Sequence, residues 1–318
     1  ISKVDGKIVF IDERMIKTMD GSGYGMAVRK RSQCAQFAAD KGALACLIRS
    51  VGTQPHHMPH TGIMARDGAE GAGAVAAISG PDADQLARLL ERSPVTVSVD
   101  IQTEIKTNAP SGNVIAELTG TDLADEIVLI GCHLDSWDLG TGALDDGAGC
   151  GIVVGAAMLI ADLPERPRRT IRVVLYGAEE VGLLGAFAYA EAHKDDLETI
   201  VLASESDFGA EKVYALRTSF DGEGRKVFED IQKAIAPLGI KMEDGPTTGG
   251  PDIIPLANAG VPAFRLQQDG TDYFDLHHTP DDTFDKIDKD AMAQNVAAWA
   301  AFTWMASEAD VDFRSDAE

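Results

Sequence analysis

The chain has 318 residues, 45% of them apolar and 25% charged, which is an ordinary globular composition and long enough for about two domains. Its 51 acidic residues outnumber 28 basic ones, for a formal charge of −23. That balance argues against nucleic acid or an anionic membrane as a partner, because both select basic faces. No apolar run reaches the ~18 residues that a membrane span requires. The strongest apolar segment, residues 151–160, suits a buried core helix. Cys34, Cys46, Cys132 and Cys150 are too few for a disulfide framework in a chain of this size, so buried thiols are expected, with Cys34 and Cys46 the one pair close in sequence. The chain opens at Ile1, without methionine or a signal-like apolar segment, and reads as processed or trimmed.

In chain order, residues 7–11 form a short apolar strand, and a helical pattern around residues 34–40 stops at Gly42. Residues 43–48 and 74–78 follow as strands, and 81–91 as a helix with Pro81 in its first turn and Asp82 and Asp84 near its positive end. Residues 95–105 alternate apolar and polar, predicting a half-buried strand. Residues 1–107 therefore read as a small α/β module. Inside it, residues 51–63 carry two prolines and two glycines and must be a loop. The spacing of His56, His57 and His60 there fits no standard metal set, so a loop reaching towards a substrate is the better reading, with His60 as the contact. A solvated loop is the plain alternative.

After the boundary at residues 108–112, longer strands alternate with longer helices. Strands are expected at 126–132, 170–176, 199–204 and 261–266, and helices at 148–162, 183–193, 224–236, 253–259 and 289–306. Such alternation predicts an α/β second domain over 108–318, a mainly parallel sheet sandwiched by helices, with ligands at the carboxyl ends of its strands. His133, Glu179, Glu180 and Asp207 each follow an apolar strand. The tail 310–318 is acidic and expected to fray.

A pair of metal ions holding a hydrolytic water needs a bridging carboxylate, flanking histidine and carboxylate ligands, and a separate base for the proton. Asp145, in a Gly-rich turn opening a helix, suits the bridge. The tandem Glu179-Glu180 can divide ligand and base, since neighbours on an extended segment point to opposite sides. Asp135, two residues past His133, is placed to accept from its ring N–H. Each residue has a structural alternative, above all that Asp145 or Asp146 simply caps the helix. Their shared position at one sheet edge favours a site. Cys–His zinc spacing, a Gly-x-Ser-x-Gly elbow and a P-loop are absent.

The stretches 131–140, 142–147, 178–180, 205–207 and 277–279, with Gly131-Cys-His-Leu-Asp135, Asp145-Asp-Gly147, Glu205-Ser-Asp207 and His277-His-Thr279 inside them, resemble the co-catalytic zinc exopeptidases of the aminopeptidase and glutamate carboxypeptidase type. The resemblance extends into the first module, which is similar to the protease-associated insert of that superfamily. It implies two Zn²⁺ per chain: His133 and Asp207 on one, Glu180 and His278 on the other, and Asp145 bridging. It implies Glu179 as general base and His277 as a group stabilising the tetrahedral intermediate, while Asp135 keeps the orienting role read above and is counted with them as catalytic. His60 and Asp252 are expected to contact substrate. A short peptide or dipeptide substrate, a homodimer, and a secreted or periplasmic location are further implications. Members carry catalytic-domain sequence ahead of the insert, whereas this chain starts inside it, and Ala148 stands where many have serine. Two other readings share the fold: a glutaminyl cyclase-like single-zinc acyltransferase, and a non-catalytic binding protein like transferrin receptor ectodomains.

Overall fold

The computed structural model describes residues 4–64, 74–104, 106 and 108–314. Two compact units emerge. The first gathers Ile1–Pro110, Trp137–Thr141 and Gly270–Asp282; the second gathers Ser111–Ser136, Gly142–Asp269 and Thr283–Glu318. The first stretch of the first unit ends at Pro110, and two later segments join it.

The first unit contains β1 (Ile8–Ile11), α1 (Ser22–Ala27), α2 (Arg29–Asp40), β2 (Ala45–Arg49), β3 (Ala74–Ile78) and α3 (Gly80–Leu90). Its strands pair in parallel in the order β1-β2-β3, with Ile8 opposite Ala45 and Ala45 opposite Ala74. Parallel pairing of neighbours needs a crossover, and α1 with α2 supply it between β1 and β2. Ser79 caps α3 by accepting from the Asp82 N–H, and Pro81 sits in the first turn as expected. Against the expectation of thiols, Cys34 and Cys46 form a disulfide. Helix α2 lies on β2 and brings their Cα atoms to 6.1 Å, inside the bridging range. The strand expected over 95–105 is also absent. Residues 95–100 do alternate half-buried and exposed, but no neighbouring strand supplies a ladder, and Ile105 lies outside the described residues. Alternation in sequence reports an extended half-buried backbone, and only a partner edge makes it a strand.

The second unit contains β4 (Val114–Leu118), β5 (Leu123–His133), α4 (Ala148–Ala161), β6 (Arg169–Tyr176), α5 (Leu184–Ala192), β7 (Ile200–Glu205), β8 (Val213–Thr218), α6 (Gly222–Ile235), β9 (Lys241–Asp244), α7 (Ile254–Asn258), β10 (Arg265–Gln268) and α8 (Lys289–Glu308). One sheet runs β4-β6-β5-β7, parallel except for β4; a second runs β10-β8-β9, with β10 antiparallel to β8. A parallel bridge from Ala203 to Ala263 links β7 to the approach to β10. The mixed α/β class is as expected, but the single sheet is two, and β4, β8 and β9 are additions. Lys-Met-Glu-Asp in β9 carries too little apolar signal for a strand to be read, whereas Val-Ile-Ala-Glu-Leu in β4 is an apolar run that went unread.

Strand β5 sits inside its sheet, and both faces are covered. Val128 and Ile130 pack with Ile152, Val153 and Ala156 of α4 and Trp299 and Phe302 of α8; Ile127 and Leu129 pack with Ala186, Ile253 and Leu256 on the other side. Burial on both faces is why this strand reads as an unbroken apolar run. With its preceding turn, α4 extends over Ala143–Ala161, long and apolar enough by composition to cross a membrane, a length the sequence expectation did not reach. Here its Ile152, Val153, Ala156 and Ile160 are core residues. A second unexpected disulfide, Cys132–Cys150, ties β5 to α4 directly behind His133.

Candidate metal centre

His133 is the last residue of β5, carried to the strand's carboxyl end by the apolar run before it. Its Nδ1 lies 2.9 Å from the main-chain carbonyl of Asp135, which accepts the ring N–H and turns Nε2 towards the carboxylates. Nε2 is 3.1 Å from Asp145 Oδ1 and 3.6 Å from Asp207 Oδ1. Donor atoms of these three residues lie within 4.8 Å of one another, all from the second unit. Burial opposes charge on the ring, but hydrogen bonds to Asp145 and Asp207 and the field of Asp207 and Asp146 outweigh it, holding the imidazole well above its ordinary pKa.

The tandem aspartates separate their tasks. Asp146 accepts from the His133 N–H through Oδ2 at 3.0 Å and from the Gly149 N–H through Oδ1 at 3.2 Å. It therefore fastens the end of β5 to the start of α4. Desolvation first, then nearby carboxylates, push its pKa well up. Asp145 faces His133 instead.

The role expected of Asp135 needs correction. Its carboxylate stands 3.8 Å from His133 Nδ1 and accepts instead from the Glu179 N–H at 2.9 Å and the Glu180 N–H at 3.1 Å. The side chain clamps the turn bearing the two glutamates, while the main chain of the same residue orients the histidine. The turn needs such support, because Ala178 and Leu183 both take positive φ. Glu180 is buried. Burial, followed by the negative field of Asp207, raises Glu179 to about 9, although His133 works the other way.

Two further acids belong to this cluster. Glu205, at the end of β7, accepts from the Asp252 N–H through Oε2 at 2.9 Å, and its side chain lies over Gly250, where a Cβ would come within 2.3 Å of its Cγ. Asp252 is fully buried, neither of its carboxylate oxygens has a hydrogen-bond partner, and burial lifts it to about 8. Sequence reasoning gave Glu205 no part. Its place in Glu205-Ser-Asp207 was visible, but a carboxylate ending an apolar strand signals only that one of the pair faces inward.

His277, His278 and His60 belong to the first unit. His278 takes a positive φ of 59°, its ring stacks on His277 at 3.6 Å, and its Nδ1 donates to the Thr61 carbonyl at 3.1 Å, leaving the lone pair on Nε2. Tyr24, Tyr273 and Phe274 surround His277. His60 is buried. His56 and His57 pair with Asp281 and Asp82 and serve the loop.

An oxygen-rich donor set with one imidazole, excess negative charge, and ring tautomers already fixed by main-chain carbonyls is what divalent metal ions require. The sequence model of peptidase family M28 matches residues 113–303, which include every second-unit residue just described. The chain belongs to this family. Among M28-related proteins, human carboxypeptidase Q is 35% identical over 311 residues, covering 96% of this chain and 64% of its own length. The chain thus spans about 64% of the length of the curated relatives it matches. The crystal structure of a peptidase M28 precursor from Shewanella amazonensis is 45% identical, with a TM-score of 0.87 over 98% of this chain and 71% of that one. The Bacillus subtilis zinc aminopeptidase BSAP shares this chain's fold at a TM-score of 0.65 and 19% identity, over 100% of this chain and 74% of that one.

Proposed function

We propose that this chain carries the active centre of a dizinc exopeptidase that hydrolyses dipeptides or the N-terminal bond of short peptides. The observation that carries the reading is the convergence of His133, Asp145 and Asp207 from three separate segments into one buried cluster. Beside it, Asp135 holds Glu179 and Glu180 by their main-chain N–H groups. His133 and Asp207 would hold one zinc, Glu180 and His278 the other, and Asp145 both. Zinc supplies acidification of a shared water and polarisation of the scissile carbonyl.

Glu179 takes the water's proton and returns it to the leaving amine. Burial first and the field of Asp207 second raise its carboxyl to about 9, and cations held beside it would oppose that shift and favour the carboxylate that a base requires. His277 stabilises the developing oxyanion, while Asp252 and His60 contact substrate. The first unit is read as a protease-associated insert. Two disulfides suit an oxidising, secreted or periplasmic setting. A homodimer is included in the reading and is checked by sedimentation.

The test is metal stoichiometry and hydrolysis of a dipeptide panel on one sample, native, chelated, and as Glu179→Gln. Two zinc ions per chain and a rate lost on chelation are expected. Glu179→Gln should keep its metal and lose about 10²–10⁴-fold in kcat, the usual worth of a general base. A rate indifferent to both treatments refutes the mechanism. A count near one, with pyroglutamate formed from N-terminal glutamine peptides, points to the single-zinc acyltransferase instead.

A further inference from the structure

Beside β2 and β3 the first unit has a pocket of about 230 Å³, lined among others by Arg31, His60, Thr61, Gly62, Val75 and Ala77. His60 Nδ1 accepts the Val51 N–H at 3.0 Å, so the neutral ring carries its proton on Nε2. That Nε2–H is buried and has no acceptor. Arg31 gives Nη2 to the Tyr24 hydroxyl at 3.1 Å and Nη1 to the Thr61 carbonyl at 3.5 Å, yet its buried Nε–H also lacks an acceptor. The guanidinium lies over Gly62, where a Cβ would come within 2.3 Å of Nη1 and where φ is +145°. Two residues whose buried donors lack acceptors among the described residues thus line one cavity, next to the Arg29-Lys30-Arg31 run of a chain whose net charge is −23.

We propose that this pocket receives a carboxylate of a short peptide, bound by the Nε2–H of His60 and the guanidinium of Arg31. A carboxylate supplies acceptors only, and both orphaned groups are donors. A metal ion is excluded, because the one acceptor nitrogen of His60 is occupied and Arg31 repels cations. The pocket is fixed to the site's own ligands within the same unit. Thr61, next to His60, donates its N–H to the His278 carbonyl at 3.0 Å and accepts from His278 Nδ1 at 3.1 Å. The ligand's identity as a peptide rests on the peptidase reading above; the donor pair does not.

Two variants of the zinc-loaded full chain test this. His60→Asn keeps an acceptor for the Val51 N–H and removes the Nε2–H; Arg31→Met keeps the stem over Gly62 and removes the charge. The first readout is the ratio of kcat/KM for a dipeptide over its C-terminal amide, expected to fall about tenfold in either variant through KM, and to recover in part with Arg31→Lys. A parallel ratio, for a dipeptide amide with an acidic over an apolar side chain, falls instead if a side-chain carboxylate is the one bound. The second readout is calorimetric binding of N-acetylglycine, expected to weaken about tenfold in both variants. If both ratios and the N-acetylglycine affinity match the parent chain in folded variants, the pocket assignment is overturned. If no peptide is hydrolysed but N-acetylglycine binding still depends on Arg31 and His60, the pocket stands and the peptidase reading fails.

Discussion

Around Arg49 in the first unit, buried charge is answered on the spot. Its Nε meets Asp12 and its Nη2 meets Asp84, each at 2.6 Å, and Nη1 donates to the Gly80 carbonyl at 2.9 Å. Around His133 in the second unit, Asp145, Asp146, Glu179, Glu205, Asp207 and Asp252 crowd one imidazole, and burial and mutual repulsion drive Asp146, Glu179, Glu205 and Asp252 upward. The first arrangement closes on itself and stabilises a fold. The second gathers acids whose ionisation the surrounding protein opposes, which marks a site built for a cation.

The comparison can be broken most directly at Asp145. Asp145→Ala should abolish dipeptide hydrolysis and metal retention together, in a chain that circular dichroism shows still folded. Metal retention at the parent's stoichiometry would instead put Asp145 among structural charges like those around Arg49. Arg49→Met should do the reverse, costing about 2–3 kcal/mol in chemical denaturation because its partners are one-third exposed, with metal content unchanged. Asp135→Asn sharpens the division within the second unit: loosening the turn that presents Glu179 and Glu180 should lower kcat about 10–100-fold while His133, held by a main-chain carbonyl, keeps its metal.

A further effect is on stability against pH. Asp252 and Glu179 rise from ordinary values of 3.8 and 4.5 to about 8 and about 9 in the metal-free fold. Above the ordinary values the native state holds protons that the unfolded chain has released, so stability declines as pH rises from about 4 until each folded pKa is passed. His133, also raised, adds stability that is present below its ordinary pKa and lost as pH rises through its folded one. The melting temperature of chelated protein should therefore fall between about pH 5 and 9. The zinc-loaded protein should show a flatter profile, and equal slopes would refute the cation-site reading of the cluster.

Much of this organisation was legible before any coordinates. Strands ending at His133, Tyr176 and Glu205 are apolar runs buried on both faces, so their ends, and the polar residues just beyond, can be read directly. The apolar run Val-Ile-Ala-Glu-Leu of β4 was legible but went unread, whereas β9 was not legible, because a polar edge strand is defined by its neighbour's hydrogen bonds rather than by its own side chains. The same reason removed the strand expected over 95–105. Cysteine spacing likewise could not reveal that α2 lies on β2 and α4 beside β5, which is what brings each pair into bonding range.

By itself the sequence determined the α/β class, the family-bearing motifs and the set of ionisable residues that end strands on one sheet edge, because hydrophobic periodicity and motif spacing are local properties of the chain. Only the tertiary structure decided how neighbours divide their work. It turned Asp145 towards His133 and Asp146 towards two main-chain N–H groups, and it gave the Asp135 carboxylate to the Glu179-Glu180 turn. It also joined Glu205 to Asp252 across 47 positions and put His60 and Arg31, each with a buried unpaired donor, in the lining of one cavity. Adjacent residues of the same type carry the same sequence signal, and what separates them is the direction of a side chain in a packed interior.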